Sequence, residues 1–166
     1  MEAKKLNPPI CKTKIYKTKG NEFVFAGLDD LFLYVCNVDK CTDEQWSELC
    51  GLQSEYYAKE ILPTMILNYS PKHLPTLRQR AITKQYPLLS EAIKNVKKIS
   101  LLSSSPVARG IVTVFMWMFK GNNGVNIHID SPSRHDEAIA QLCSRTNIPE
   151  HQAISLFREL KNVGGI

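Results

Sequence analysis

The segment KKISLLSSSPVARGIVTVFMWMFK, Lys97 to Lys120, decides how the rest of the chain is read. Its first part, Ile99 to Ser103, is a short apolar run that suits a strand covered on both faces in a parallel sheet. Ser105 then stands as an N-cap and Pro106 at the first helical position, where a missing N–H costs nothing. A helix is therefore predicted over 106–119. With Val107, Ile111, Val114, Phe115, Trp117 and Phe119, it is apolar around most of its circumference. Such a helix is either deeply buried or carries an apolar patch that something else covers. At about fourteen residues it is too short for a hydrocarbon core, which needs roughly 20.

Upstream, Thr13 to Lys19 alternates as a first strand, Gly20 and Asn21 make a hairpin turn, and Phe23 to Phe25 form a second strand. Gly27 to Asp30 is another turn, followed by a third strand over Phe32 to Asn37. These three strands are close in sequence and are predicted to be antiparallel. Thr42 and Gln45 have capping-box spacing and open a helix that turns Trp46, Leu49, Cys50, Tyr56 and Tyr57 inward. Pro63 leads into a buried strand over Met65 to Leu67. Residues 74–95 read as helix, kinked or split at Pro87.

Downstream of the central segment, Val125, Ile127 and Ile129 alternate with Asn126 and His128, the mark of an edge strand with one wetter face. Ser133 is expected to cap a helix, with Asp136 in the capping-box position. A last helix starts around Pro149 and stops at Gly164 and Gly165. The succession predicts an α/β fold with a mixed sheet: antiparallel N-terminal strands, then βαβ units with right-handed crossovers. The helices pack mainly on one face, and there is an extra C-terminal helix.

The net charge of +5 is concentrated near the start, where Lys4, Lys5, Lys12, Lys14, Lys17 and Lys19 face only Glu2. Residues 1–12 form a basic arm. It lacks arginine and interleaved aromatics, so it reads as a solvated tail and not as a nucleic-acid grip. No apolar run has the length of a membrane span or the form of a leader, which points to the cytoplasm. The cysteines (Cys11, Cys36, Cys41, Cys50, Cys143) are odd in number and form no C-x-x-C pair. They are expected to be reduced thiols, with neither a disulfide framework nor a zinc site, and no cofactor motif is present.

Two stretches could carry recognition chemistry. Ser103, Ser104 and Ser105 sit between strand and helix with Arg109 one turn in, a geometry that can hold an anion. The competing reading is that these serines only cap and fill a turn. The second stretch, Asn68 to Arg80, brings hydroxyls of Ser70 and Thr76 to a helix start beside Arg78 and Arg80. A phosphoryl group on either hydroxyl would meet helix N–H groups and guanidinium charge. Ser104, His128 and Asp130 form a triad only on paper, since no G-x-S-x-G elbow is present. No catalytic constellation emerges, and the expectation is a protein that is not an enzyme.

The order of elements, with ILNYSPKHLPTLRQRA, KISLLSSSPVARGIVTVF and VNIHIDSPSRHDEAIAQL, resembles the STAS-like domains, relatives of bacterial anti-sigma-factor antagonists. The resemblance covers residues 13–146 and leaves 147–166 as a C-terminal helical extension. It implies a non-enzymatic regulatory or protein-interaction module in bacterial signalling. In that family a Ser or Thr after a strand, at the start of the next helix, is phosphorylated by a partner kinase; the matching position is near Thr76. This chain departs from the family at Pro75 and Asn68, where acidic residues are usual. The implied partner, a kinase or anti-sigma-like protein, would dock on Tyr69, Arg78 and Arg80, and the apolar 106–119 helix offers a homodimer surface. The alternative is a small-ligand module that binds a phosphate-bearing molecule, a nucleotide or lipid headgroup, at the Ser103–Arg109 turn.

Overall fold

A computed structural model describes residues 13–69, 75–107, 110 and 124–166. The basic arm 1–12, Ser70, Arg109 and the 106–119 helix beyond Pro106, Val107 and Gly110 lie outside the described residues. So does the homodimer surface expected on that helix.

The chain makes a six-stranded mixed sheet in which spatial order follows sequence order. β1 (Tyr16–Lys17), β2 (Phe23–Leu28) and β3 (Leu31–Cys36) are antiparallel neighbours. β4 (Met65–Tyr69), β5 (Lys98–Leu102) and β6 (Asn126–Asp130) then add in parallel, starting against β3. The first strand is shorter than its alternation predicts. Its turn places Asn21, not Gly20, in the left-handed region (φ 57°), a conformation asparagine tolerates well. The β2–β3 hairpin is tight: Leu28 pairs with Leu31 across Asp29 and Asp30, and Asp29 takes φ 56°.

Alternation sorts the side chains of β2 and β3 by kind. Phe23, Phe25, Phe32 and Tyr34 point to one face, while Val24, Ala26, Leu31, Leu33 and Val35 point to the other. On the ring-bearing face lies α1 (Asp43–Lys59), which contributes Trp46, Leu49, Tyr56 and Tyr57. It opens with the predicted capping box of Thr42 and Gln45. Pro87 splits the next helical segment in two, α2 (Leu77–Lys84) and α3 (Pro87–Asn95), with the proline in the first turn of α3. A sheet whose strands step steadily in one direction through right-handed crossovers places the crossover helices on a single face. α1 and α3 accordingly share that aromatic cluster.

The opposite, aliphatic face is covered by the helices that follow the last strand. α4 (His135–Cys143) supplies Ala138, Ile139 and Leu142, and α5 (Glu150–Gly164) supplies Ala153, Leu156, Phe157 and Leu160. The two C-terminal helices thus make up a full layer of the core. Its helix ends at Gly165 in the left-handed conformation (φ 75°), as the paired glycines foretell. The start of α4 differs from expectation. A short 3-10 turn (Pro132–Arg134) precedes it, and Ser131, not Ser133, provides the side-chain cap. Pro132 sets that start earlier than Ser133 allows, because its fixed φ suits a first helical position.

Gly27 in β2 is required by close approach. A Cβ there would overlap the phenol oxygen of Tyr56, and that ring cannot retreat. Its centroid lies 5.4 Å from that of Tyr57 and 5.5 Å from those of Tyr16 and Phe32. Gly27→Ala should therefore cost about 1–3 kcal/mol in urea unfolding. Adding Tyr56→Phe, which removes the overlapping oxygen, should return part of that loss, a coupling of about 0.5 kcal/mol or more. Simple additivity of the two changes would refute the contact.

Candidate functional site at the carboxyl rim of the sheet

Four parallel strands end at one rim, and in open α/β sheets that rim is where ligands and partners are met. Here it carries Tyr69 at the end of β4, Ser103 just after β5, Asp130 at the end of β6 and the start of α2.

α2 is set in place by one buried glutamine. Thr76 caps the helix: its Oγ1 accepts from the Gln79 backbone N–H at 3.1 Å, and the Gln79 side chain accepts from the Thr76 N–H at 3.2 Å. The same Gln79 side chain donates through Nε2 to the Cys41 carbonyl at 3.0 Å, which fastens the start of α2 to the loop before α1. One turn on, Thr83 Oγ1 donates to the Gln79 carbonyl and accepts from Trp46 Nε1, both at 3.0 Å. Sequence reasoning missed Gln79, although the Thr-x-x-Gln spacing that signals a capping box was there to be read.

That scaffold presents three neighbouring side chains to solvent. Thr76 is exposed, Leu77 is 76% exposed, and the Arg78 side chain is 81% exposed. Arg78 Nε reaches Asp43 Oδ2 of α1 at 3.1 Å. Arg80 is half-buried, and its Nε has no hydrogen-bond partner. Asn68 Oδ1, on the penultimate residue of β4, is likewise buried without one. A buried donor or acceptor left unpaired costs about 1–3 kcal/mol, so these two groups are an expense that packing does not explain.

The other predicted positions fare differently. Tyr69 is buried, with its ring 5.8 Å from that of Phe157 and Lys161 Nζ 5.3 Å above it. Alternation turns it toward α5, away from α2, so it is core and is withdrawn from the docking set. Ser103 is buried and its Oγ accepts from the Ser105 N–H at 3.1 Å, the arrangement of a serine that closes its own turn. Ser104 is exposed and Ser105 half-buried beside it. His128 Nε2 stands 3.7 Å from Asp130 Oδ2, but Ser100, not Ser104, is the register partner of His128. Ser100 Oγ makes no hydrogen bond, so no serine–histidine–aspartate relay is assembled.

No helix among the described residues is long and apolar enough to cross a membrane. Nor do the described His, Cys, Asp and Glu residues form a group of three placed to hold a metal ion. Cys36, Cys41, Cys50 and Cys143 are thiols. No family model matches the chain, and no curated protein or solved structure matches it significantly.

Cys41 and Cys50 are held in the protonated form, which makes them poor nucleophiles. Burial, reinforced by neighbouring Cys36, pushes Cys41 from an ordinary 9.0 up to about 12, despite its hydrogen bond from Gln79. Burial likewise pushes Cys50 up to about 11. Since the thiolate is the reacting species, native Cys41 should alkylate about a thousandfold more slowly than a free cysteine at pH 8, and Cys50 about a hundredfold. Timed iodoacetamide labelling with peptide mapping checks this, and labelling of Cys41 at the free-cysteine rate would refute it.

Proposed function

We propose that the protein is a non-enzymatic, STAS-like regulatory module that recognises a protein partner through the start of α2. The observation that carries this reading is the exposed Thr76-Leu77-Arg78 face on a rigidly latched helix start. A leucine left three-quarters exposed between a hydroxyl and a guanidinium supplies an apolar anchor and polar flanks, the composition of a small recognition surface.

Thr76 is the phosphoacceptor in this reading. A phosphoryl group brings a charge of about −1.5 to −2 at neutral pH. On Thr76 it would stand at the N-terminus of α2, where exposed N–H groups and the helix dipole favour an anion. It would also compete with Asp43 for Arg78, so that modification would loosen the α1–α2 ion pair and change the face a partner meets. The Arg78 partner is largely exposed and Asp43 partly so, so rearrangement of the pair costs little, as a reversible switch requires. The alternative phosphate-bearing ligand at Ser103–Arg109 has less support. Ser103 Oγ is occupied by the Ser105 N–H, and Arg109 lies outside the described residues.

Leu77→Asp tests the surface. Leu77 makes little packing, so its replacement should leave stability within about 0.5 kcal/mol. Capture of the partner from native cells, quantified by mass spectrometry, should fall about tenfold or more, the loss expected of a central apolar anchor. Thr76→Ala should cost about 1 kcal/mol through the lost cap. Thr76→Glu should keep the fold and alter capture. Capture unchanged by both Leu77→Asp and Thr76→Glu would overturn the proposal.

A further inference from the structure

Away from the carboxyl rim, a cavity of about 270 Å³ opens between the first halves of β5 and β6 and the end of α4. Its floor follows from strand register. Lys98 pairs with Asn126 and Ser100 with His128, and alternation puts all four side chains on the α4 face. Its roof is the last turn of α4, with Gln141 and Arg145. No carboxylate is among the described lining side chains. Asp130, two residues beyond His128 on β6, is bridged to His128 at 3.7 Å and to Arg134 at 3.5 Å.

Ser100 does not suit a packing role. On this face its neighbour across β4 is Leu67, and Leu67 and Leu102 are core residues. Valine or alanine would serve a core position there, yet the chain places a hydroxyl, 2% exposed, whose oxygen has no partner. Leaving it so is costly unless something in the cavity completes it. Arg145 is equally unexplained by folding. It follows the C-cap of α4 with φ 61°, a left-handed position that favours glycine. Unlike the Asn and Asp that take this conformation in the turns of the antiparallel strands, arginine gains nothing from it locally, and residues held this way cluster at functional sites.

We propose that this cavity is a binding site for a small oxyanion, the phosphate or carboxylate group of a metabolite-sized ligand. Lys98 and Arg145 supply the charge, Asn126 and Gln141 supply amide donors, and the buried Ser100 hydroxyl donates to the innermost oxygen. His128, with its side chain half exposed at the mouth, contributes a ring nitrogen. The volume admits a metabolite-sized molecule and is slightly below the range typical of drug-sized ligands. The site is separate from the start of α2 and does not depend on the function proposed above.

Calorimetric titration of the full-length chain with inorganic phosphate and, in a second series, with acetate tests the site. Saturable binding of at least one is expected, with a matching rise in Tm. The tighter probe identifies the oxyanion the site was built for. Ser100→Ala and Arg145→Gly should each weaken it about tenfold, the loss that goes with one hydrogen bond to a charged group. Arg145→Gly should meanwhile hold or raise Tm of the unliganded protein, because glycine suits that backbone, which separates lost binding from lost folding. Absence of saturable binding of both probes overturns the proposal. So does binding that survives both substitutions undiminished.

Discussion

Everything in this molecule rests on the need to cover β3 on both sides. All six of its residues, Leu31 to Cys36, are buried, and the strand has no face that water could wet. Rings point one way and aliphatic chains the other, so each layer has its own partner. Burying one such side chain contributes about 1.5–3 kcal/mol, which makes the loss of either covering layer intolerable for a chain of this size. The aromatic layer is the more specific of the two. Tyr16 stacks on Phe25 at 5.2 Å, Tyr56 meets both edge-on, and Trp46 meets Phe23 edge-on at 5.9 Å. Rings held at fixed angles fix the rotation of α1 more tightly than aliphatic contacts would.

Once α1 is fixed, the start of α2 follows. The buried Gln79 and Thr83 fasten α2 to the Cys41 carbonyl and to the Trp46 indole, and the indole is itself part of the ring cluster. An exposed surface at Thr76, Leu77 and Arg78 is thereby carried by the core and not by a loose loop. Recognition surfaces benefit from this, because side chains that are already placed lose less freedom when a partner arrives.

The architecture was legible in the sequence because it depends on patterns. Apolar runs between turn residues marked β2 and β3, alternation marked β6, the Thr42–Gln45 pair marked the start of α1, and Pro87 marked the division between α2 and α3. The twin glycines marked the end of α5. What escaped depended on which side chain met which. Tyr69 looks like a loop residue beside a basic helix start, yet it closes the core against Phe157, because the alternation of β4 continues two residues further than its apolar run. Ser133 and Ser131 are equivalent in local spacing, and only the geometry of Pro132 separates them. The polar floor at Ser100 was hidden for a related reason. Within KISLL a single serine does not interrupt an apolar strand, and its lack of a partner exists only once β4, β6 and α4 have assembled around it.

The two ends of the sheet carry different loads. The aromatic and aliphatic clusters that saturate β2 and β3 leave no polar group unmatched along those strands; Asn21 Oδ1, buried without a partner, sits in the turn before β2. The other unmatched groups among the described residues, Asn68, Arg80 and Ser100, belong to β4, α2 and β5. A chain under selection for stability alone would replace such groups with apolar ones of similar size, since an apolar pair is close to neutral where an unpaired polar group is not. Asn68 and Ser100 stand on strands of the parallel half, which fits a division of labour between the two halves of the sheet. The antiparallel half, closed early in sequence, holds the fold, and the strands added to it retain polar groups that folding does not need. The six-stranded order β1 to β6 makes this division spatial as well as sequential, because each added strand moves one step further from the rings that stabilise the whole.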